Sequence, residues 1–278
     1  RLGTEYTPTL VNKFNQVLTL QPKKGFLSKF TSQLAYRIDK KTPRGDYGFL
    51  VNPFTGNPQD QRLINLSSQL RHDLSFNKSG TRFSANLVTQ KQSTRITLVN
   101  GADGKVNWSN SLFIRYRFHP AWQLNSTSDW SQKQSISEYF ASKNYTLASL
   151  SQLLQMECQA GTGFRIGVDW EYRSESNKTD GSQLSSNRLE SVLTAQIPEK
   201  GQISLSAQYV YIDFNGDADS PAGYAMMKGF GKGHNAVIQL SARYKLGKNL
   251  VLEGTYEGRI AEGGKMVHNA QLQVRALF

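Results

Sequence analysis

Apolar and polar residues alternate along most of this chain, in segments of about ten residues that turns separate. A clear example runs from Phe164 to Tyr172, where Phe, Ile, Val, Trp and Tyr alternate with Arg, Gly, Asp and Glu. The side chains of a β-strand point in turn to opposite faces of the sheet, so each segment predicts a strand with one apolar and one polar face. Counted in this way, the sequence predicts about 13 strands.

Short connections made of turn-forming residues alternate with longer polar connections. The short ones lie at residues 22–25, 77–80, 119–121, 160–163, 198–201 and 247–249. The longer ones lie at about residues 39–60, 92–108, 131–143, 174–186 and 213–234, with a short one at 261–264. Outer-membrane barrels have tight turns on one rim and long loops on the other. The order of connections therefore predicts an all-β fold, a closed antiparallel transmembrane β-barrel with meander topology, which forms one domain over residues 1–278.

The last strand ends the chain at an aromatic residue. Its apolar face carries Leu272, Val274, Ala276 and Phe278. A terminal aromatic residue after an alternating strand is typical of bacterial outer-membrane barrels, and we expect these four residues to be the signal that the barrel insertion machinery recognises. Because the C-terminus lies on the rim of short turns, we expect it in the periplasm and the long loops on the extracellular side.

The strand count raises a problem of direction. With about 13 strands and a periplasmic C-terminus, the first strand would start on the extracellular side, yet single-chain bacterial barrels have even strand numbers. A further strand from Arg1 to about Thr9 would give 14 strands, with 12 to 16 left open.

Composition excludes a helical membrane protein. The mean hydropathy is −0.51, and no segment approaches the roughly 20 consecutive apolar residues of a transmembrane helix. The net charge of +12 would suggest nucleic acid as the partner of a soluble protein. For a barrel we expect no nucleic acid, but outer-membrane lipid and the phosphates of lipopolysaccharide. The single cysteine, Cys158, falls on an apolar face and is expected to act as a small hydrophobic residue.

The polar faces of the strands predict a lumen wall of mixed charge with an excess of arginine. Its charged residues include Arg37, Arg71, Arg115, Arg117, Arg165, Glu171, Arg173, Arg243, Glu253, Glu257, Arg259 and Arg275. Rings of basic side chains in a water-filled pore would select anions. Pairs of Arg and Glu on neighbouring strands would instead fill the barrel and stiffen it. The proximity of basic and acidic residues near the closing strands favours the second interpretation.

Enzymatic and metal chemistry have little support in the sequence. The four histidines show no spacing typical of metal ligands, so we expect no catalytic, cofactor or metal site. Residues 215–221 carry the oxygen-rich side chains of a calcium loop but lack the remaining ligands, and a surface turn explains them better. Residues 229–233 have the glycines of a phosphate loop but precede a strand rather than a helix.

A series of motifs near the C-terminus carries a family resemblance. The chain reads Tyr-Ala-Met-Met-Lys-Gly at 224–229, Gly-His-Asn at 233–235, Tyr-Glu-Gly-Arg at 256–259 and Val-Arg-Ala-Leu-Phe at 274–278, with His268 in the last strand. This resembles the C-terminal end of large outer-membrane proteins of Bacteroidota, although Met227 stands where Leu is commoner. The resemblance implies a C-terminal barrel in a Bacteroidota outer membrane, often preceded by periplasmic domains, and therefore a chain that does not begin at Arg1. It assigns no catalytic or binding residue.

Two functions fit these observations. The first is a structural or accessory barrel, a subunit or membrane anchor of an envelope assembly, secretion or uptake complex with other envelope proteins. The second is a passive outer-membrane channel for small or anionic solutes. The mixed-charge lumen and the family resemblance favour the first. Whether the lumen is open depends on whether the long loops at residues 39–60 and 213–234 fold inward.

Overall fold

The computed structural model describes residues 9–22, 25, 27–41, 63–77, 82–98, 101–161, 163–247 and 249–276. These residues form one sheet of 13 strands in which each strand pairs with the next one along the chain. All the pairs are antiparallel, as in a meander. The strands are β1 (Thr9–Leu20), β2 (Leu27–Lys41), β3 (Leu63–Phe76), β4 (Phe83–Leu98), β5 (Gly101–His119), β6 (Trp122–Ser137), β7 (Tyr145–Ala160), β8 (Phe164–Asn177), β9 (Gln183–Ile197), β10 (Gly201–Asn215), β11 (Gly233–Lys245), β12 (Leu250–Ala261) and β13 (Val267–Ala276). The predicted all-β meander is confirmed.

The register of the strands places most of the large apolar side chains on one face of the sheet. Phe14 lies opposite Tyr36 at one end of the sheet, and Leu252 lies opposite Val274 at the other. Successive side chains of a strand point to opposite faces of the sheet. One face, called the outer face here, therefore carries mostly apolar side chains, and the other, called the inner face, carries mostly polar ones. Large apolar side chains on the outer face remain exposed, for example Leu189 at 48%. A sheet that keeps such a surface requires an apolar surrounding.

Three of the predicted long connections are shorter in the structure. Residues 92–108 were predicted as a loop, but β4 continues to Leu98 and β5 begins at Gly101. The connections predicted at 131–143 and 174–186 shrink to residues 138–144 and 178–182. In β4 both faces become polar beyond about Gln90, with Lys91 and Arg95 on the outer face. A strand that extends past an apolar layer into water loses its alternation but keeps its ladder of backbone hydrogen bonds, so the sequence pattern underestimates its length.

Two of the connections contain helical turns. A 3-10 turn at Ala141–Lys143 lies between β6 and β7, and helix α1 (Pro221–Met227) lies between β10 and β11. Neither was predicted. No described helix has the length and apolar character needed to cross a membrane.

The described part of the chain leaves the two edges of the sheet without a strand partner. Within it β1 pairs only with β2, and β13 pairs only with β12. The additional strand predicted before Thr9 and the terminal residue Phe278 lie outside the described residues, whereas Leu272, Val274 and Ala276 lie on the outer face of β13 as predicted.

Candidate functional site: a helical loop packed on the inner face

The connection between β10 and β11, residues 216–232, forms helix α1 because its sequence contains the signals that begin and end a helix. Ser220 is the N-cap: its side chain accepts a hydrogen bond from the backbone N–H of Gly223 at 3.0 Å. Pro221 follows at the first helical position, where its missing N–H has no cost. The helix ends at Lys228, whose backbone is left-handed at φ 53°, and Gly229 follows at φ 78°.

Gly223 allows the start of this helix to pack against the preceding turn. A Cβ atom at this position would lie 2.3 Å from the carbonyl oxygen of Asp217. Asp217 also accepts a backbone hydrogen bond from Asp219 at 3.0 Å through its side chain, and its carbonyl accepts one from the hydroxyl of Ser220 at 2.7 Å. The segment with the composition of a calcium loop was predicted as a surface turn, and its side chains form such a turn and also cap α1.

An apolar cluster fixes α1 to the inner face of the sheet. The helix contributes Ala222, Met226 and Met227, with Met226 fully buried at 0% exposure. The strands contribute Leu147, Leu184, Val210, Ile212 and Phe214, all at inner-face positions near this rim. Burial of one such side chain contributes about 1.5–3 kcal/mol. These residues interrupt the polar inner face where the loop covers it, so sheet and loop are complementary.

Arg173 of β8 holds the C-terminal end of α1. Its Nη2 donates to the carbonyl oxygen of Met226 at 2.8 Å, and its Nη1 donates to Glu175 at 3.2 Å. Arg173 and Glu175 are buried, with side-chain exposure of 8% each. The negative end of a helix dipole favours a cation at this place. A buried guanidinium with these partners ties the loop to the wall through charge-assisted hydrogen bonds.

The segment after the helix is held by two further side chains. Arg259 of β12 donates from Nη2 to the carbonyl oxygen of Gly229 at 3.1 Å, and its guanidinium lies 4.8 Å from the ring centre of Phe230. Asn235, buried at the start of β11, accepts from the backbone N–H of Gly231 at 3.0 Å and donates to its carbonyl at 2.8 Å. The sequence motifs at 224–229, 233–235 and 256–259 thus include three residues that hold this loop: Met226, Asn235 and Arg259.

Lys228 carries a positive charge into the same region. Its side chain keeps contact with solvent, yet the surrounding protein desolvates it, and this lowers its pKa below the ordinary value. The charge of Arg173 lowers the pKa further, while Glu175 and Glu171 act in the opposite direction. The packed loop therefore disfavours the charge of Lys228 relative to a fully solvated lysine.

The structure brings many of the predicted inner-face charges into ion pairs. The pairs are Arg37 with Asp39 (2.9 Å), Arg71 with Asp73 (2.9 Å), Arg173 with Glu175 (3.2 Å), Arg188 with Glu171 (2.8 Å) and Glu190 (2.6 Å), and Glu253 with Arg243 and Arg275 (3.3 Å each). Glu257 accepts a hydrogen bond from Gln239 at 3.0 Å. Of the predicted arginines, Arg115, Arg117, Arg165 and Arg259 form no ion pair within the described residues.

Sequence reasoning did not find the loop site. Leu184, Val210, Ile212 and Phe214 look like a break in the alternation rather than a contact surface, because apolar residues then occupy both faces of a strand end. That break was the available signal. Apolar inner-face residues near a rim require an apolar partner, and a long connection containing Met226 and Met227 supplies one.

Comparison with known proteins agrees with the architecture. No family model matches the chain, and no curated protein matches its sequence. Among solved structures, the ferric-catecholate import receptor Fiu of E. coli K12 matches with a TM-score of 0.61 at 10% identity, over 96% of this chain and 56% of the receptor. The ferric yersiniabactin uptake receptor FyuA of Yersinia pestis matches with a TM-score of 0.57 at 12% identity, over 96% of this chain and 57% of the receptor. The fold is that of an outer-membrane β-barrel wall. The chain spans little more than half the length of these receptors, and at such identities the likeness concerns the fold alone.

Proposed function

We propose that this chain forms the wall of a bacterial outer-membrane β-barrel and serves as the membrane-embedded part of an envelope uptake or assembly complex, not as an open pore. The observation that carries the proposal is the loop 216–232, which packs on the inner face through buried Met226 and the hydrogen bond from Arg173. An open channel has no need of an apolar patch on its water-filled face. A barrel whose loop closes one end does need it.

The outer face supports the membrane location. It exposes apolar and aromatic side chains on strands far apart in the sheet, among them Leu34, Trp130, Leu189 and Leu240. The strands have 10 to 19 residues, enough for the roughly 9–11 residues with which a tilted strand crosses the hydrocarbon layer. In this arrangement the short-turn rim and the C-terminus face the periplasm, and the loop 216–232 faces the cell exterior.

Closure of the barrel requires strands in addition to those described. In a meander all odd-numbered strands run in the same direction, so β1 and β13 are parallel. Antiparallel closure therefore needs an odd number of further strands between them, and one such strand gives the predicted 14. Unpaired backbone groups at an open edge are too costly in lipid for the sheet to remain open there.

Uptake is included in this proposal because two solved structures with this fold are receptors named for uptake. Passive conduction of anions is the second candidate. It is favoured by inner-face arginines that have no acidic partner among the described residues, such as Arg115 and Arg117.

Electrical recording separates the two candidates. The protein extracted from outer membranes and placed in a planar bilayer should show little conductance. A variant in which a short Gly-Ser turn replaces residues 217–230 should conduct, because the covering loop is gone. An equal, large conductance in both proteins would overturn the proposal in favour of the channel. Stable partner proteins recovered in mild detergent would support the complex, and a protein that stays soluble without detergent would refute both candidates.

A further inference from the structure

Four arginines on the inner face share a spacing to a carboxylate. Arg37, Arg71, Arg173 and Arg188 each have a carboxylate two residues later on the same strand. The nitrogen to oxygen distances in these four pairs are 2.9, 2.9, 3.2 and 2.6 Å. Residues two apart on a strand point to the same face, so each arginine carries its own counter-charge along the strand.

A different arrangement lies on β5, near the short-turn rim. Two residues after Arg115 the chain has Arg117, a second guanidinium instead of a carboxylate. A third one, Arg82, lies opposite Arg117 across the strand pair, since the backbone N–H of Arg117 donates to the carbonyl of Arg82 at 2.7 Å. Like charges directly opposite each other on a sheet repel and destabilise it. The three arginines share the inner face.

No carboxylate compensates this cluster within the described part of the chain. None lies within 4.0 Å of a guanidinium nitrogen of the three residues. The side chains next to Arg115 by register are Ser84 on β4 and Asn125 on β6, both neutral. The nearest acidic residue on the β6 side is Glu157 of β7, two strands from β5, at roughly 10 Å for the usual spacing of strands.

Arg115 also has an unsatisfied donor. Its Nε is buried and has no hydrogen-bond partner. A buried guanidinium nitrogen without an acceptor costs free energy, and it costs more beside two other positive charges. Both costs are removed together by one ligand type, an anion with several acceptor oxygens placed between the guanidinium groups.

We propose that Arg82, Arg115 and Arg117 form a binding site for a small phosphate-type oxyanion on the inner face near the short-turn rim. The planar forks of the guanidinium groups match the geometry of phosphate oxygens, and three positive charges match a doubly charged anion. The neutral Ser84 and Asn125 complete the surroundings with groups that can donate hydrogen bonds to it. The site lies at the opposite end of the sheet from α1 and is independent of the closing loop.

Calorimetric titration of the purified protein in detergent with inorganic phosphate, in a buffer without other oxyanions, tests the site. We expect one phosphate per chain, with affinity at least tenfold weaker in Arg115→Gln and Arg117→Gln. Arg117→Lys should fall between them and the wild type, because it keeps the charge but loses the fork. Arg71→Gln is the matched control, because it removes an inner-face arginine that has its own carboxylate, and it should bind as the wild type does.

A parallel titration with short-chain phosphatidic acid distinguishes free phosphate from a lipid headgroup. The proposal would be overturned if only the lipid bound, if the folded wild type did not bind phosphate, or if the Arg71→Gln control lost as much affinity as the other variants.

If a variant does not fold, the wild type can be tested through modification of its arginines by phenylglyoxal, measured by mass spectrometry. Phosphate should protect Arg115 and Arg117 but leave the modification of Arg71 unchanged, and uniform modification with phosphate present would refute the site. These readouts do not depend on conductance, so the site can fail while the proposed function stands.

Discussion

The phenolic oxygen of Tyr256 lies 2.8 Å from Nδ1 of His268, so a hydrogen bond joins β12 and β13 on the outer face of the sheet. Gly258 makes this contact possible: it lies opposite His268 in the register, and the ring of Tyr256 extends over it. A Cβ atom at Gly258 would lie 2.8 Å from the phenolic oxygen of Tyr256 and 2.7 Å from the terminal carbon of Met266. Tyr256, Gly258 and His268 all belong to the C-terminal motifs singled out in the sequence.

Gly258→Ala should therefore displace the ring of Tyr256 and break the hydrogen bond. We expect a loss of about 1 kcal/mol in the free energy of unfolding, measured by urea titration in lipid vesicles. In a Tyr256→Phe background the same change should cost less, because the bond is already absent and the phenolic oxygen no longer occupies the space. Strictly additive losses in the two variants would show that the two residues are not coupled.

Met226→Ala should loosen the loop 216–232. Met226 is fully buried between α1 and the sheet, and removal of such a side chain costs about 2–5 kcal/mol. Trypsin should then cleave faster after Lys228 and Lys232, as gel analysis over time would reveal. Tyr224→Ala, on the same helix but 71% exposed, is the matched control. Equal cleavage rates in the two variants would contradict the packing role of Met226.

Arg173→Ala should open the loop at its helical end. The change removes the donor to the carbonyl of Met226 and leaves Glu175 buried without its partner, at a cost of about 3–5 kcal/mol. Planar-bilayer recordings should show openings that the wild type lacks. Arg71→Ala breaks an ion pair of the same spacing far from the loop and should leave the recordings unchanged. Silent recordings from both variants would mean that Arg173 does not hold the closed state.

Alkaline pH should strengthen closure through Lys228. Its pKa in the packed loop lies below the ordinary value of 10.5, because burial and Arg173 disfavour its charge. The unfolded or released loop therefore binds more protons than the packed loop between the two pKa values, and the packed state gains stability as pH rises through this range. The frequency of openings should fall as the pH rises toward the ordinary pKa of 10.5. Lys228→Met, which has no charge to lose, should show a flat profile, and a matching slope in the variant would assign the effect to other groups.

Labelling of single cysteines tests the assignment of the two faces. In a Cys158→Ala background, Gln239→Cys lies on the inner face of β11 and Leu240→Cys on its outer face. A charged, water-soluble maleimide should label the first in intact vesicles after removal of the loop, and a lipid-soluble reagent should label the second. Labelling of both positions by the charged reagent would refute a lipid-facing outer surface.

The parity of the sheet could be predicted from the sequence because it is a local property. The alternation from Phe164 to Tyr172 is enough to assign each of these residues to the apolar or the polar face. Neighbouring segments with the same pattern then predict the register of the strands. The length of β4 and β5 could not be predicted, because past the apolar layer both faces meet water and nothing selects the residue types. Helix α1 was missed for another reason. Its stability comes from packing on Leu184, Ile212 and Phe214 of the sheet, while its seven residues are too few to form a helix alone.

The contacts of the inner-face charges also differ in whether the sequence predicts them. Arg37 and Asp39 are neighbours by spacing, so their contact follows from strand geometry. The contact of Arg173 with Met226 joins residues 53 apart in the chain and depends on how the loop folds. Arg115 and Arg117 were assigned to the polar face from the sequence, but their position beside Arg82 follows only from the register of β4 and β5.

The order of strands in the sheet has a consequence for assembly. Each described strand pairs only with its neighbours in sequence, so the sheet can grow one hairpin at a time with short-range closures. The loop 216–232 is different, since its apolar cluster draws on β7, β9 and β10 together. The loop can pack on the sheet only after those strands have formed their part of it. Under the proposed function, the loop would therefore cover the inner face late in folding, after β7, β9 and β10 have paired.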